Sequence, residues 1–158
     1  MKFYSILFIF FVLLTGEFRA QSDTLLPLVK FNGRVVMQPS DLSSLDGLVF
    51  ADREAVRIYF EQGSSKLSIG AQQQLNEVIS ELAKDKKLGL LITGYSDRGM
   101  STKRNWRLSF ERAQRVRSFF VLSGMKSHRF IARYLGDTGS ISRNPADRVV
   151  VIEYIILE

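Results

Sequence analysis

Asp97 and Arg112, fifteen positions apart, are the residues of this chain best placed to hold a ligand. Asn105, Ser109 and Arg112 follow one another at spacings of four and three, so they share one stripe of a helix. Gly94-Tyr95-Ser96-Asp97 closes a short apolar run that reads as a buried strand. Loops just outside the carboxyl ends of strands are where open α/β sheets tend to carry ligand sites. Asp97 and Arg112 can therefore face one crevice, one from a loop and one from a helix. Two arrangements remain open at this point. The pair can bond to each other as a surface ion pair worth ~0–1 kcal/mol. Held apart, they can grip a zwitterion, Asp97 taking its ammonium and Arg112 its carboxylate, at roughly 1.5–3 kcal/mol per charge-assisted bond. The ordinary expectation for a polar stripe on an amphipathic helix is exposure to solvent.

The elements that would position these residues are legible in the chain. Val56 to Phe60 is rich in β-formers and is bounded by Gly63 and two serines, which predicts a strand. Ser68 can cap a helix in which Leu75, Val78, Ile79 and Leu82 recur with helical spacing. Lys84-Asp85-Lys86-Lys87 ends it, with cations near the negative end of the helix dipole. Leu88 to Gly94 is the buried strand, and a second helix is expected from about Thr102 to Leu122, stopped at Gly124. Phe130 to Leu135 and Arg148 to Leu157 complete the set as strands. The order β-α-β-α-β-β implies an α+β domain: a single mixed sheet with two main helices on one face. Helical crossovers imply parallel pairing of the strands they join, and the last two strands can pair directly through their loop.

The first twenty residues have the grammar of a signal peptide. Lys2 supplies a basic start, Ile6 to Leu14 is an unbroken apolar run of nine residues, and Ala20 precedes the expected cut. Such a run is too short to span a bilayer. Residues 21–53 are loosely patterned and read as an N-terminal extension, with Arg34 to Met37 a short strand, and residues 54–158 form the domain. The chain has no cysteine, which excludes disulfides, thiolate metal sites and a lipidated N-terminal cysteine. Without residues 1–20, 20 basic and 15 acidic residues remain, a net charge of +5 that favours anionic partners.

The run Asn105-Trp106-Arg107-Leu108-Ser109-Phe110-Glu111-Arg112-Ala113-Gln114-Arg115-Val116 resembles the N-x-x-L-S-x-x-R-A-x-x-V signature of the OmpA-like C-terminal domain family at every fixed position. Gly94-Tyr95-Ser96-Asp97 resembles the family's G-H-T-D loop, and Tyr59-Phe60 with Ser64-Ser65-Lys66-Leu67 its first-strand motif. The resemblance covers roughly residues 55–155. It implies non-catalytic binding of peptidoglycan through the diaminopimelate of the stem peptide, gripped by Asp97 and Arg112. Asn105, Ser109, Ser96, Tyr95 and Arg148 would support that grip. Near the C-terminus the family's N-R-R-V is replaced by Ala146-Asp147-Arg148-Val149, and the loop before it departs from the G-E-S-x-P pattern.

The expectation is an exported, periplasmic protein associated with the cell wall or outer membrane. Its partners would be peptidoglycan and an outer-membrane protein or envelope assembly. No catalytic residue, cofactor, metal or nucleic acid is expected. Two alternatives stand beside it: an interaction module of the same fold that has lost wall binding, and a membrane-to-wall tether that keeps its N-terminal segment. The basic second helix does not favour nucleic acid, since its cations radiate around the axis and only Trp106 offers a stacking surface.

Overall fold

The computed structural model describes residues 47–157, Leu45, and the backbone of a small hairpin in which β1 (Lys30–Phe31) pairs antiparallel with β2 (Arg34–Val35). The expected signal peptide and most of the extension lie outside the described residues, as does the remainder of the strand expected at Arg34 to Met37. The main chain then runs β3 (Val49–Phe50), β4 (Val56–Tyr59), α1 (Ile69–Lys84), β5 (Leu88–Gly94), α2 (Thr102–Leu122), β6 (Phe130–Tyr134) and β7 (Val149–Ile156).

Both helices form for reasons visible in the sequence. The Ser68 hydroxyl accepts from the Ala71 backbone N–H at 3.1 Å and caps α1. Ala71, Leu75, Val78 and Leu82 form its buried stripe. Helix α2 starts after Ser101 and ends before Gly124, which adopts φ +86 as a left-handed stop. Leu108, Ala113, Val116 and Phe120 are its buried apolar residues. The two helices cover one face of a five-stranded mixed sheet, where Phe120 stacks on Phe130 with ring centroids 5.3 Å apart.

The pairing of the strands departs from the sequence-based expectation in two respects: β6 and β7, and likewise β4 and β5, are not partners. β7 lies between β4 and β5, antiparallel to both, and also takes β3 at its far end through Phe50↔Ile155. β4 and β5 are therefore parallel but not neighbours, whereas β5 and β6 are parallel and adjacent. The reason lies in β7 itself: seven of its eight residues, all but Glu153, offer β-branched or aromatic side chains, to both faces, which suits a central strand better than an edge. β3 falls within the stretch read as an extension, yet joins this sheet.

This order brings the carboxyl end of β5, the start of β7 and the first half of α2 together. Gly94 makes the approach possible: a Cβ there would stand 2.1 Å from the Ser109 carbonyl oxygen. Only glycine lets the end of β5 come so close to the α2 backbone.

Candidate functional site

The polar stripe of α2 is not solvated. Asn105, Ser109 and Arg112 are each 0 % exposed, and Asp97 on the facing loop is 1 % exposed. Burial on this scale costs free energy unless every polar group finds a partner. Their partners explain the local architecture.

Arg112 reaches across the molecule. Its Nε donates to the Ser64 carbonyl at 2.9 Å, Nη1 to the Tyr95 carbonyl at 3.0 Å and Nη2 to the Glu61 carbonyl at 3.1 Å. The guanidinium carbon lies 5.3 Å from the centre of the Phe60 ring. Three of five N–H groups are thus committed to the loops that follow β4 and β5. Burial pushes the guanidinium pKa down to about 10, Asp97 partly counters this, and Arg148 adds to it. Arg112 remains charged at neutral pH.

The two residues expected to grip a ligand are not bonded to each other. Asp97 pairs with Arg148, whose Nε donates to Oδ2 at 3.0 Å. Arg148 enters from the start of β7, which the strand order sets beside the end of β5. One carboxylate and two guanidinium groups therefore stand within electrostatic reach of one another. This cluster carries a net positive charge among its own members.

The supporting residues order the surrounding loops. Asn105 Nδ2 donates to the Met100 carbonyl at 3.2 Å and to Asp137 Oδ2 at 3.0 Å. The Ser109 hydroxyl donates to the Trp106 carbonyl and accepts from the Gly136 N–H at 3.0 Å. The Ser96 hydroxyl donates to the Asn105 carbonyl, and its N–H donates to the Gly136 carbonyl. The Tyr95 N–H donates to the Val149 carbonyl, while the Tyr95 carbonyl accepts from Arg112. Across the top, the Arg98 N–H donates to the Ser140 hydroxyl at 3.2 Å, and Arg143 donates to the Gly99 carbonyl. The loops after β5 and β6 are stitched together over Asp97.

Asp137 was not among the residues singled out from sequence. It receives the Asn105 amide and lies 3.9 Å from Arg98. An acid immediately after Gly136, in a loop returning to the final strand, is the signal that could have found it. Asn105 Oδ1 is buried without a hydrogen-bond partner, an acceptor left open inside the cluster.

Comparison with known proteins shows the family and the fold. Residues 59–150 match the model of the OmpA family. Outer membrane protein A of Klebsiella aerogenes is 31 % identical over 94 residues, covering 58 % of this chain and 27 % of that protein. Outer membrane protein A of Citrobacter freundii is 29 % identical over 117 residues, covering 73 % of this chain and 48 % of that protein. The chain thus spans between about a quarter and a half of the length of these relatives. Among solved structures, the peptidoglycan-associated lipoprotein from Burkholderia pseudomallei is similar with a TM-score of 0.58 at 22 % identity, over 62 % of this chain and 88 % of that one. The C-terminal domain of Helicobacter pylori MotB is similar with a TM-score of 0.56 at 18 % identity, over 63 % of this chain and 83 % of that one.

Proposed function

Because this chain belongs to the OmpA family, we propose that it is a non-catalytic anchor that binds peptidoglycan in the bacterial envelope. The finer proposal is that Asp97 takes the ammonium, and Arg112 the carboxylate, at the free end of a diaminopimelate side chain. The observation that carries it is the enclosed cluster at the carboxyl end of β5, where a buried carboxylate and a buried guanidinium sit together without bonding to each other. Arg148 then has a definite part. Its cationic group holds the place on Asp97 that a ligand ammonium would take. When the ammonium displaces it, Arg148 is free to join Arg112 on the carboxylate. One internal ion pair is exchanged for two intermolecular ones, in surroundings dry enough to strengthen both. The name of the Burkholderia relative, a peptidoglycan-associated lipoprotein, supports the wall as the partner. The names of the curated relatives support an outer-membrane location, and an outer-membrane protein or envelope assembly is the further partner of this reading.

Co-sedimentation of the protein with purified peptidoglycan tests this. The wild type is expected to pellet with diaminopimelate-type wall and to remain soluble with lysine-type wall, which lacks the terminal carboxylate. Asp97→Asn and Arg112→Lys, checked for folding, are expected to stay in the supernatant with both. A wild type that does not pellet, or variants that pellet as well as it does, would overturn the proposal.

A second reading is favoured by one specific observation. Asp97 is already neutralised by Arg148, and Arg112 is tied to three carbonyls. A site so well satisfied can serve as a structural core, leaving the module to dock a protein instead. Titration with free diaminopimelate, followed by amide NMR, separates the two. Shifts at residues 95–99 and 148 belong to the wall-binding reading, and their absence at saturating ligand belongs to the docking one.

A further inference from the structure

The sheet face without helices carries a cleft that is lined by none of Asp97, Arg112 and Arg148. Its floor is one row of cross-strand partners, Arg57↔Val151, Val151↔Thr93 and Thr93↔Arg133, running across β4, β7, β5 and β6. Side chains opposite one another in neighbouring strands point to the same face. The row therefore places an arginine at each end, about 14 Å apart at ~4.8 Å per strand, with small β-branched residues between. The loop of residues 138–147 overhangs it, and Tyr95 and Ser96 form the wall shared with the loop of Asp97. The open cleft has a volume of about 400 Å³, within the range of ordinary small-ligand sites.

The chemistry of the lining narrows the occupant. Arg133 is fixed: its Nε donates to the Thr93 hydroxyl at 2.7 Å, and Nη2 lies 3.7 Å from Glu153. Thr93 is fully buried beneath it. Arg57 is exposed and has no hydrogen-bond or ion-pair partner among the described residues. Asp147 and Glu153 balance the two arginines, so the cleft is neutral overall. A phosphate or polyanion would meet two carboxylates there, and a cation would meet two guanidinium groups. A neutral ligand rich in hydroxyl and amide groups meets guanidinium donors and carboxylate acceptors there, with Tyr95 in the wall.

We propose that this open-face cleft is a sugar subsite that takes an N-acetylated amino sugar of the glycan strand while the Asp97 cluster holds the attached peptide. The proposal rests on the wall-binding reading for its ligand, and on the cleft alone for its residues. Ser96, next to Asp97 in the chain, also lines the cleft, so the two sites share a wall.

The test compares three soluble probes on the full chain by calorimetry: a stem tripeptide, the same tripeptide on its disaccharide, and a peptide-free amino-sugar oligomer. The wild type is expected to bind the disaccharide-peptide about tenfold tighter than the peptide, the equivalent of one or two good hydrogen bonds. Arg57→Ala and, separately, Glu153→Gln should remove that advantage and leave tripeptide affinity within about twofold. No advantage in the wild type, or variants that preserve it or weaken both probes equally, would overturn the subsite. If neither peptide probe binds, but the oligomer binds in an Arg57-dependent manner, the stem-peptide reading fails and the subsite stands. If no probe binds, both fail.

Discussion

The two ends of β5 are built from the same parts and have different prospects. At the amino end, Gly89 admits the backbone of Arg129, whose carbonyl oxygen would lie 2.8 Å from an added Cβ. Arg129 is 8 % exposed and donates to the carbonyls of Leu82, Asp85 and Leu88, which closes the last turn of α1. At the carboxyl end, Gly94 admits the backbone of Ser109, and Arg112 is buried on three carbonyls in the same manner. Burial lowers the pKa of both guanidinium groups. A buried arginine saturated by carbonyls is thus no mark of a site. What distinguishes the carboxyl end is a second charge pair, Asp97 with Arg148, within electrostatic reach of Arg112.

The sharpest way to break this comparison is through the glycines. Gly94→Ala drives a methyl into a helix backbone and should cost roughly 3 kcal/mol or more, while Gly89→Ala meets partly a movable Leu157 side chain and should cost less. Urea unfolding checks the order, and a reversal would show that the tighter junction is at the amino end. The arginines come next. Arg129→Met and Arg112→Met each remove three hydrogen bonds to backbone carbonyls and should each lose about 3 kcal/mol. That loss corresponds to a fall in Tm on the order of 10–20 °C. Only Arg112→Met should also abolish wall pelleting, measured well below either melting temperature. If Arg129→Met abolished it too, the division between the ends would not hold.

Asp97→Asn sharpens the contrast from the other side. It keeps the shape and removes the charge, so it should lower stability by only about 1–2 kcal/mol while reducing wall affinity at least tenfold. Parallel melting and pelleting assays would show whether the two effects separate. Ser109→Ala should have the smallest effect, about 1 kcal/mol, because one buried N–H, that of Gly136, loses its acceptor. Faster amide exchange at Gly136, with exchange at the amino end unchanged, is the expected signature.

Much of this was legible in the sequence, and the missing parts share a cause. The bounds of α2, the β5 run and the Ser68 cap follow from local periodicity and capping, which the chain displays within a few residues. The α2 stripe was legible as a stripe, but its burial was not, since 3.6-residue periodicity does not say what loop covers a polar face. Family resemblance named Asp97 and Arg112 together. It did not reveal that Asp97 bonds Arg148, fifty-one positions away, because that contact exists only once β7 is seated beside β5. Arg129 and Asp137 were missed for the same reason: their partners lie on α1 and α2, and nothing in the neighbouring sequence announces them.

The central seat of β7 also sets a schedule. Residues 149–156 come after every other described strand in the chain, and β4 and β5 have no mutual pairing without them. Until that strand arrives, both helices lack a completed sheet to pack on, and the non-local closure that remains is the slow kind. The sheet is therefore completed in one late step, when β7 takes its seat between β4 and β5.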